Sequence, residues 1–269
     1  MLRISHLYIY PVKSLGGIEL TSVSLTDRGF EHDRRWMLVD EQGMFLTQRN
    51  FPAMALLHTS IADGKLIIKN AAAQADPLVL DLKPSGVARL KVEVWDDVCD
   101  ALHVSNNADE WFSSQLKRRV KLVYMPDESR REVDTDYAPN GEITSFSDGY
   151  PILMIGQSSL DDLNSRLPSP VPMNRFRPNI VFTGGEPYQE DGMKHFQISG
   201  MDFYGVKPCG RCVVTTIDQQ TATAGKEPLS TLAKYRTVGN KVNFGQNILH
   251  KGSGVLKVGD ELVFSSNDR

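Results

Sequence analysis

The chain has 269 residues, with 30 Lys and Arg against 33 Asp and Glu, for a formal net charge of -3. Its 41% hydrophobic and 23% charged residues are typical of a water-soluble globular protein, and the slight acidity argues against a nucleic-acid partner, which needs a basic excess. Three Cys are too few for a disulfide framework, and no run reaches the ~18 apolar residues of a membrane span. We therefore expect a cytoplasmic protein of one large or two ordinary domains, without a membrane partner.

Short strands are predicted throughout the first hundred residues. Alternating or apolar runs, mostly separated by Gly or Pro, predict strands at residues 2–11, 18–25, 35–40, 44–47, 56–62, 66–69, 78–82 and 88–95. Glu41-Gln42-Gly43 is typical of a turn, so the strands on either side of it are expected to form a hairpin. Several short strands at this spacing indicate a barrel or a strongly curved sheet.

A helix and a change of composition follow near residue 105. Asn107 is the expected N-cap of this helix, which ends in basic residues before Val120. We place the boundary between two domains here, so that the first domain spans residues 1–115 and the second spans residues 116–269.

The second domain is predicted to alternate strands, loops and short helices. Residues 127–142 are polar and contain Pro, Asn and Gly, which predicts a loop. A helix over residues 158–167 is capped by Ser158 or Ser159, and Pro228 opens a second short helix. Strands are predicted at residues 120–125, 152–155, 179–183, 203–206, 213–218 and 255–264. The chain as a whole is predicted to be mainly β with some α, an α+β fold.

The sharpest local feature is a pair of Cys, Cys209 and Cys212, separated by two residues. A zinc site is disfavoured because it needs four ligands, Cys99 is the only other Cys, and no His pair has zinc-finger spacing. A thioredoxin-like redox pair opens a helix, whereas this pair runs into a predicted strand at residues 213–218. From the motif alone, inert buried thiols and functional thiols remain about equally supported.

Dispersed cationic side chains and one turn form a second group of candidates. The cations are Lys13, Arg34, Arg35, Arg49, Arg175 and Arg177. For any one of them a solvated surface charge is the simpler interpretation. Arg35 and Arg177, however, adjoin apolar strands, where a bound phosphate or carboxylate would supply the partner that a charge needs. Ser147, Asp148 and Gly149 form a turn whose backbone N–H groups could hold a phosphate.

Taken in chain order, these motifs resemble two known domains. Three of them resemble the N-terminal β-barrel domain that precedes MOSC domains (molybdenum cofactor sulfurase C-terminal): Pro11-Val12-Lys13-Ser14, Asp33-Arg34-Arg35-Trp36 and Thr47-Gln48-Arg49. Five others resemble the MOSC domain itself: Ser147-Asp148-Gly149-Tyr150-Pro151, Asn174-Arg175-Phe176-Arg177-Pro178-Asn179, Cys209-Gly210-Arg211-Cys212, Glu227-Pro228-Leu229 and Phe244-Gly245-Gln246-Asn247. The resemblance implies an N-terminal β-barrel-like domain packed on a C-terminal MOSC β-barrel domain with short helices.

The resemblance extends to the amidoxime-reducing components and their bacterial counterparts, which reduce N-hydroxylated compounds. It implies a molybdenum-dependent oxidoreductase that holds a molybdenum–pterin cofactor (Mo-molybdopterin) between the two domains and converts N–OH to N–H plus water. Some bacterial relatives carry an additional iron–sulfur domain with several Cys. This sequence has no such Cys set, so electrons are expected from a separate ferredoxin- or flavoprotein-type donor.

The same resemblance implies the site residues. Cys212 is the implied molybdenum ligand and catalytic residue, and Cys209 is a neighbour. The implied cofactor contacts are Lys13, Ser14, Arg34, Ser147, Asp148, Arg177, Asn179, Gly210, Arg211 and Asn247. Arg49 is left without a role, and pyridoxal phosphate binding is left open. Two alternatives also stay open: a non-catalytic carrier of molybdenum cofactor or sulfur, and a protein in which Cys209 and Cys212 cycle as a dithiol.

Overall fold

The computed structural model describes residues 1–264, so the last five residues of the predicted second domain lie outside the described residues. The strands, in chain order, are β1 (Leu2–Ile9), β2 (Ile18–Leu20), β3 (Ser22–Thr26), β4 (Gly29–Phe30), β5 (Trp36–Val39), β6 (Leu57–Ala62), β7 (Lys65–Asn70), β8 (Leu78–Asp81), β9 (Ala88–Val94), β10 (Asp97–His103), β11 (Lys121–Tyr124), β12 (Ile152–Gly156), β13 (Ile180–Thr183), β14 (His195–Ile198), β15 (Met201–Arg211), β16 (Thr237–Val238), β17 (Lys241–Lys251), β18 (Gly254–Lys257) and β19 (Glu261–Val263). The α-helices are α1 (Asn106–Leu116), α2 (Gln157–Arg166) and α3 (Leu229–Ala233). Short 3-10 helices lie at Pro52–Leu56, Met173–Arg175, Gln189–Gly192 and Val213–Thr216. The predicted mainly β fold with some α-helix is confirmed.

A closed barrel of seven strands lies within the largest sheet of the described residues. Its order is β12–β13–β1–β19–β14–β15–β17, and β17 pairs back with β12. Side chains alternate between the barrel interior and its outer surface, as the period of a strand requires. In β1 this alternation shifts: Leu2 and Ile4 are buried, then Leu7 and Ile9, because the pairing register with β13 slips between Ile4 and His6.

Three smaller sheets and helix α1 complete the fold. The sheets have the orders β5–β11–β10–β9, β6–β7–β8 and β18–β3–β4. Trp36, Leu38 and Leu122 pack with Phe112 of α1 in a second hydrophobic core, and each of these side chains is fully buried.

Hydrogen-bonded pairing crosses the predicted boundary between residues 115 and 116 in both directions. Strand β1 lies between β13 and β19 of the barrel. Strand β11, which follows the boundary, pairs with β5 and β10. The boundary itself stays a prediction.

Both predicted helix caps are wrong, for a physical reason in each case. Ser105, not Asn107, caps α1: its backbone is extended and its Oγ accepts a hydrogen bond from the Ala108 N–H at 3.1 Å. Helix α2 begins after Gly156 without a side-chain cap, because the Ser159 hydroxyl donates instead to the buried Glu190 carboxylate at 2.8 Å.

The strand predicted at residues 213–218 is also wrong, since Val213–Thr216 form a 3-10 helix. The Thr215 hydroxyl donates to the Cys212 carbonyl at 3.0 Å, and the Thr216 hydroxyl donates to the Val213 carbonyl at 2.8 Å. Side-chain bonds of this kind compete with strand pairing, despite the β propensity of Val and Thr. Cys212 therefore lies between the end of a long strand, β15, and a single helical turn.

Within residues 1–264, no helix has the length and apolar character that crossing a membrane requires. The cytoplasmic location stays a prediction.

Candidate functional site

A cavity of about 270 Å³ opens where the turn after β1, the turn at residues 47–50 and the ends of several barrel strands meet. It is lined by every residue predicted for the site: Lys13, Ser14, Arg34, Ser147, Asp148, Arg177, Asn179, Gly210, Arg211, Cys212 and Asn247. The structure thus brings together residues that are up to 234 positions apart in the sequence. Their individual roles stay predictions.

Four non-glycine residues of this cavity have left-handed backbone conformations. The φ angles are 67° at Ser14, 49° at Arg34, 58° at Trp95 and 56° at Arg177. Such conformations cost about 1–3 kcal/mol each for residues with a Cβ and persist only where the surroundings enforce them. All four residues line the cavity, so this backbone strain lies where a ligand would be held.

Two of the cations are held by one aromatic ring. The guanidinium carbons of Arg34 and Arg177 lie 4.3 and 4.2 Å from the centre of the Tyr10 ring. Burial raises the pKa of Tyr10, so the phenol stays neutral beneath the two cations. Burial also lowers the pKa of Arg177 to about 10, which leaves this guanidinium charged at neutral pH.

Hydrogen bonds fix the direction of the Arg34 side chain. It donates to the Asp33 carboxylate at 2.5 Å and to the Asn179 side-chain oxygen at 3.0 Å. Asn179 is fully buried and donates its own amide to the Tyr8 carbonyl at 3.1 Å. Arg177 donates to the Leu15 carbonyl at 2.6 Å. The two cations are therefore preorganised, with little side-chain entropy left to lose when an anion binds.

Lys13 and Asp148 form an ion pair on the cavity wall. The buried Lys13 ammonium donates to the Asp148 carboxylate at 2.6 Å and to the Phe146 carbonyl at 2.8 Å. Burial lowers the pKa of Lys13 to about 8, against the opposing effect of Asp148. Desolvation opposes ionisation of the Asp148 carboxyl, but the Lys13 ammonium outweighs it and holds the pKa of Asp148 well below its usual range.

Each of the two Cys accepts hydrogen bonds from an Arg. Arg49 approaches the Cys212 sulfur with Nε at 3.4 Å and Nη2 at 3.3 Å. Arg211 approaches the Cys209 sulfur with Nη1 at 3.0 Å and donates through Nη2 to the Phe176 carbonyl at 2.6 Å. Both sulfurs are partly exposed to the cavity, unlike Cys99, which is buried. The two thiols are therefore not buried, and whether they are inert or functional stays untested.

The donor set of this cavity fits a metal that arrives with ligands and charge of its own. Within residues 1–264, no group of three or more His, Cys, Asp or Glu side chains is placed to hold a metal ion. The cavity offers a soft sulfur and, over the same residues, five cationic side chains against one carboxylate. Two buried donors at its wall, Arg211 Nε and Trp95 Nε1, have no partner there. A thiolate-ligated metal with an anionic organic ligand matches these features.

The chain matches two family models and several known proteins. Residues 1–119 match the MOSC N-terminal beta barrel domain, and residues 142–263 match the MOSC domain. The chain belongs to the MOSC family.

The human mitochondrial amidoxime-reducing component 1 is 31% identical over 96% of this chain and 81% of its own length. The mitochondrial amidoxime reducing component 2 of Rattus norvegicus is 32% identical over 96% of this chain and 81% of its own length. The molybdenum cofactor sulfurase of Solanum lycopersicum is 31% identical over 95% of this chain but only 35% of its own length.

Two cations highlighted in the sequence lie elsewhere in this MOSC protein. Arg35 donates to the Met125 carbonyl at 2.5 Å and to the Asp127 carboxylate at 2.7 Å, so its partner is internal and no bound anion is needed. Arg175 pairs with Asp218 at 3.2 Å beside the cavity and is not part of its lining.

Sequence reasoning missed two residues that shape the cavity of this MOSC protein. Trp95 lies in the turn between β9 and β10, and its ring is part of the cavity wall. Tyr10 was treated only as a strand residue, although two cavity cations stack on it. Neither residue has a local signal in the sequence, because each contributes through contacts between distant segments.

Proposed function

We propose that this MOSC protein is a molybdenum-cofactor-dependent oxidoreductase that reduces N-hydroxylated compounds to the N–H compound and water, with electrons from a separate ferredoxin- or flavoprotein-type donor. The observation that carries the proposal is the Cys212 sulfur, which is partly exposed in a cationic cavity and accepts two guanidinium N–H groups. Relatives named amidoxime-reducing components, similar over 96% of the chain, support the choice of reaction.

Cys212 would hold the metal, since a thiolate is the soft donor that a redox-active metal prefers. One protein ligand cannot complete a coordination sphere, so the remaining donors would come from the sulfurs of the pterin. Lys13, Arg34 and Arg177 would bind the phosphate of the cofactor, because their charges and N–H groups are already fixed by the surrounding structure.

The bound molybdenum cofactor would supply the transfer of two electrons and of an oxygen atom, which protein side chains cannot perform. This chain's residues would orient the cofactor, neutralise its charge and hold the substrate near the metal ligand. Leu153 and Val214, which are only partly buried, give the cavity apolar surface beside its cations, and this surface suits a small substrate with an apolar body and a polar N–OH group.

Metal and pterin analysis of the protein from a cofactor-competent host tests the proposal. We expect close to one molybdenum and one pterin per chain in the wild type and in Cys209→Ser, and a large loss of molybdenum in Cys212→Ser. The rate of benzamidoxime reduction with an artificial electron donor should likewise be high in the wild type and Cys209→Ser and low in Cys212→Ser. Equal molybdenum in the wild type and Cys212→Ser would overturn the proposal.

A second candidate is a non-catalytic carrier of molybdenum cofactor or sulfur. The similarity to molybdenum cofactor sulfurases over 95% of the chain favours it. A protein that binds molybdenum through Cys212, reduces no N-hydroxylated compound with any donor and delivers cofactor to a cofactor-free acceptor enzyme would support the carrier instead.

A dithiol mechanism makes a different prediction for the two Cys. Cycling between dithiol and disulfide needs both sulfurs, so Cys209→Ser and Cys212→Ser would then lose activity to the same extent. The proposed reductase requires only that Cys212→Ser be severely impaired, whereas Cys209→Ser keeps most of its activity.

A further inference from the structure

Arg49 contacts the Cys212 sulfur from a distant part of the chain. Its Nε and Nη2 lie 3.4 and 3.3 Å from Cys212 Sγ, so one guanidinium directs two N–H groups at the same atom. A guanidinium is a rigid planar fork, and two donors from one fork restrict both the position and the direction of the acceptor. The proposed function gives Arg49 no role.

An aromatic ring holds the Arg49 guanidinium in place. Its central carbon lies 4.3 Å from the centre of the Trp95 ring, and Trp is the side chain that binds cations best through its face. Trp95 has a φ of 58° in the turn between β9 and β10 and packs on Phe45, with ring centroids 4.9 Å apart. The Arg49 guanidinium is thus held by the packed Trp95 and Phe45 rings, while its N–H groups face the Cys212 sulfur.

A second contact fixes the turn that carries Arg49 against the segment that carries Cys212. The Gln48 side chain is fully buried and exchanges two hydrogen bonds with the Gln219 side chain, at 2.9 and 3.1 Å. Gln48 also donates to the Ser14 carbonyl at 2.8 Å. Gln219 follows the 3-10 helix that begins after Cys212, so neighbouring residues on both segments are paired.

We propose that Arg49 is a positioning residue for the Cys212 sulfur, which rests on Cys212 being the molybdenum ligand as in the proposed function. Hydrogen bonds and positive charge at a ligating thiolate draw electron density from the sulfur and stabilise the reduced, more negative state of a metal centre. Arg49 therefore fixes the ligand direction and raises the reduction potential of the bound metal. Lys cannot replace it, because an ammonium is a point charge without a fork and stacks less well.

The test compares Arg49→Met and Arg49→Lys with the wild type, all as cofactor-loaded protein. The readouts are the Mo(V) electron paramagnetic resonance spectrum, the midpoint potential of the metal and the rate of molybdenum loss on dialysis. Arg118→Met is the matched control, since Arg118 also stacks on an aromatic ring, Phe51 at 5.0 Å, but does not line the cavity.

We expect Arg49→Met to change the spectrum, lower the midpoint potential and speed molybdenum loss by about 10–100-fold, the usual effect of removing a partner of a metal ligand. Arg49→Lys should restore part of the potential but not the wild-type spectrum, and Arg118→Met should match the wild type. Trp95→Leu is an independent variant that removes the supporting ring and keeps Arg49. We expect it to change the spectrum, the midpoint potential and the rate of molybdenum loss in the same direction as Arg49→Met, but by a smaller amount.

The outcomes separate this inference from the proposed function. If the wild type binds molybdenum no better than Cys212→Ser, the proposed function and this inference both fail. If molybdenum depends on Cys212 but the spectrum and potential of Arg49→Met match those of the wild type, only the role of Arg49 is overturned.

Discussion

At the scale of one residue, Lys13 places a positive charge in the cavity wall at the expense of desolvating its ammonium group. The residue is only 4% exposed, and the partners of its ammonium group are one carboxylate and one carbonyl oxygen. Burial penalises the charged form of this ammonium group, which is why its pKa falls to about 8. An anionic ligand bound beside Lys13 would offset part of that penalty.

The depressed pKa of Lys13 predicts how stability depends on pH. The unfolded chain holds this proton up to a pKa of about 10.4, whereas the folded chain releases it near 8. Between these values the unfolded state binds more protons, so the free energy of unfolding rises with pH, by at most about 1.4 kcal/mol per pH unit. Urea unfolding of cofactor-free protein at several pH values from about 8 to about 10 measures this rise.

The comparison that isolates Lys13 uses two variants. Lys13→Met should reduce the slope of the unfolding free energy against pH. Lys69→Met, at an exposed position on β7, should leave that slope unchanged. The same slope in the wild type and Lys13→Met would contradict the prediction.

At the scale of one element, β15 connects the barrel to the two Cys. Its pairing with β17 shifts register twice, between Gly205 and Lys207 and again between Pro208 and Gly210. The shifts allow an eleven-residue strand to leave the barrel wall and to deliver Cys212 to the cavity. The first shift depends on a very close approach: a Cβ at Gly205 would lie 1.9 Å from the Met193 carbonyl oxygen.

Gly205→Ala is therefore expected to displace β15. Because the clash is with backbone, the strand must move, and we expect a loss of stability of about 1–3 kcal/mol in urea unfolding together with reduced molybdenum content. Gly192→Ala is the control, since a Cβ at Gly192 would have no atom within 4 Å. Equal stability of the two variants would show that the strand tolerates the methyl group.

The strands were largely predictable from alternation of apolar residues, and the failures have local causes. Strand β10 was missed because its exposed side chains include Asp97 and Asp100 between buried ones. Residues 213–218 read as a strand because of Val and Thr, although their hydroxyl groups bond to the preceding carbonyls. Propensity describes a residue type, but here the competing hydrogen bond decides the conformation.

Only those site residues that belong to the ordered sequence motifs could be predicted. The motifs named which residues would meet, and all of them line one cavity. Arg49 had no assignable partner, because its contact with Cys212 depends on how the turn at residues 47–50 folds against the end of β15. Trp95 was missed for the same reason. Contacts between separate segments, such as those that join Arg49 to Cys212 and to Trp95, follow from topology, which periodicity does not specify.

At the scale of the whole molecule, the two matched domains share one barrel. Strand β1 belongs to the first matched domain, yet it lies between β13 and β19 of the second. Its residues Leu7 and Ile9 are part of the barrel core together with Phe182. Neither matched domain contains a complete barrel.

A fragment of residues 116–264 is therefore expected not to fold cooperatively. Without β1, strands β13 and β19 lose their shared neighbour and the barrel core is open to water. Far-UV circular dichroism and urea unfolding of the fragment measure this, and adding a peptide of residues 1–17 should restore part of the transition. A fragment that unfolds cooperatively at the midpoint of the full chain would contradict the expectation.

The position of β1 also sets an order of events during synthesis. It leaves the ribosome before both of its barrel neighbours, since β13 begins at residue 180 and β19 begins at residue 261. At translation rates of about 5–20 residues per second, β1 waits roughly ten to fifty seconds for its neighbours. The nascent barrel must stay open during that interval, so loading of any prosthetic group that needs the closed barrel follows synthesis of β19.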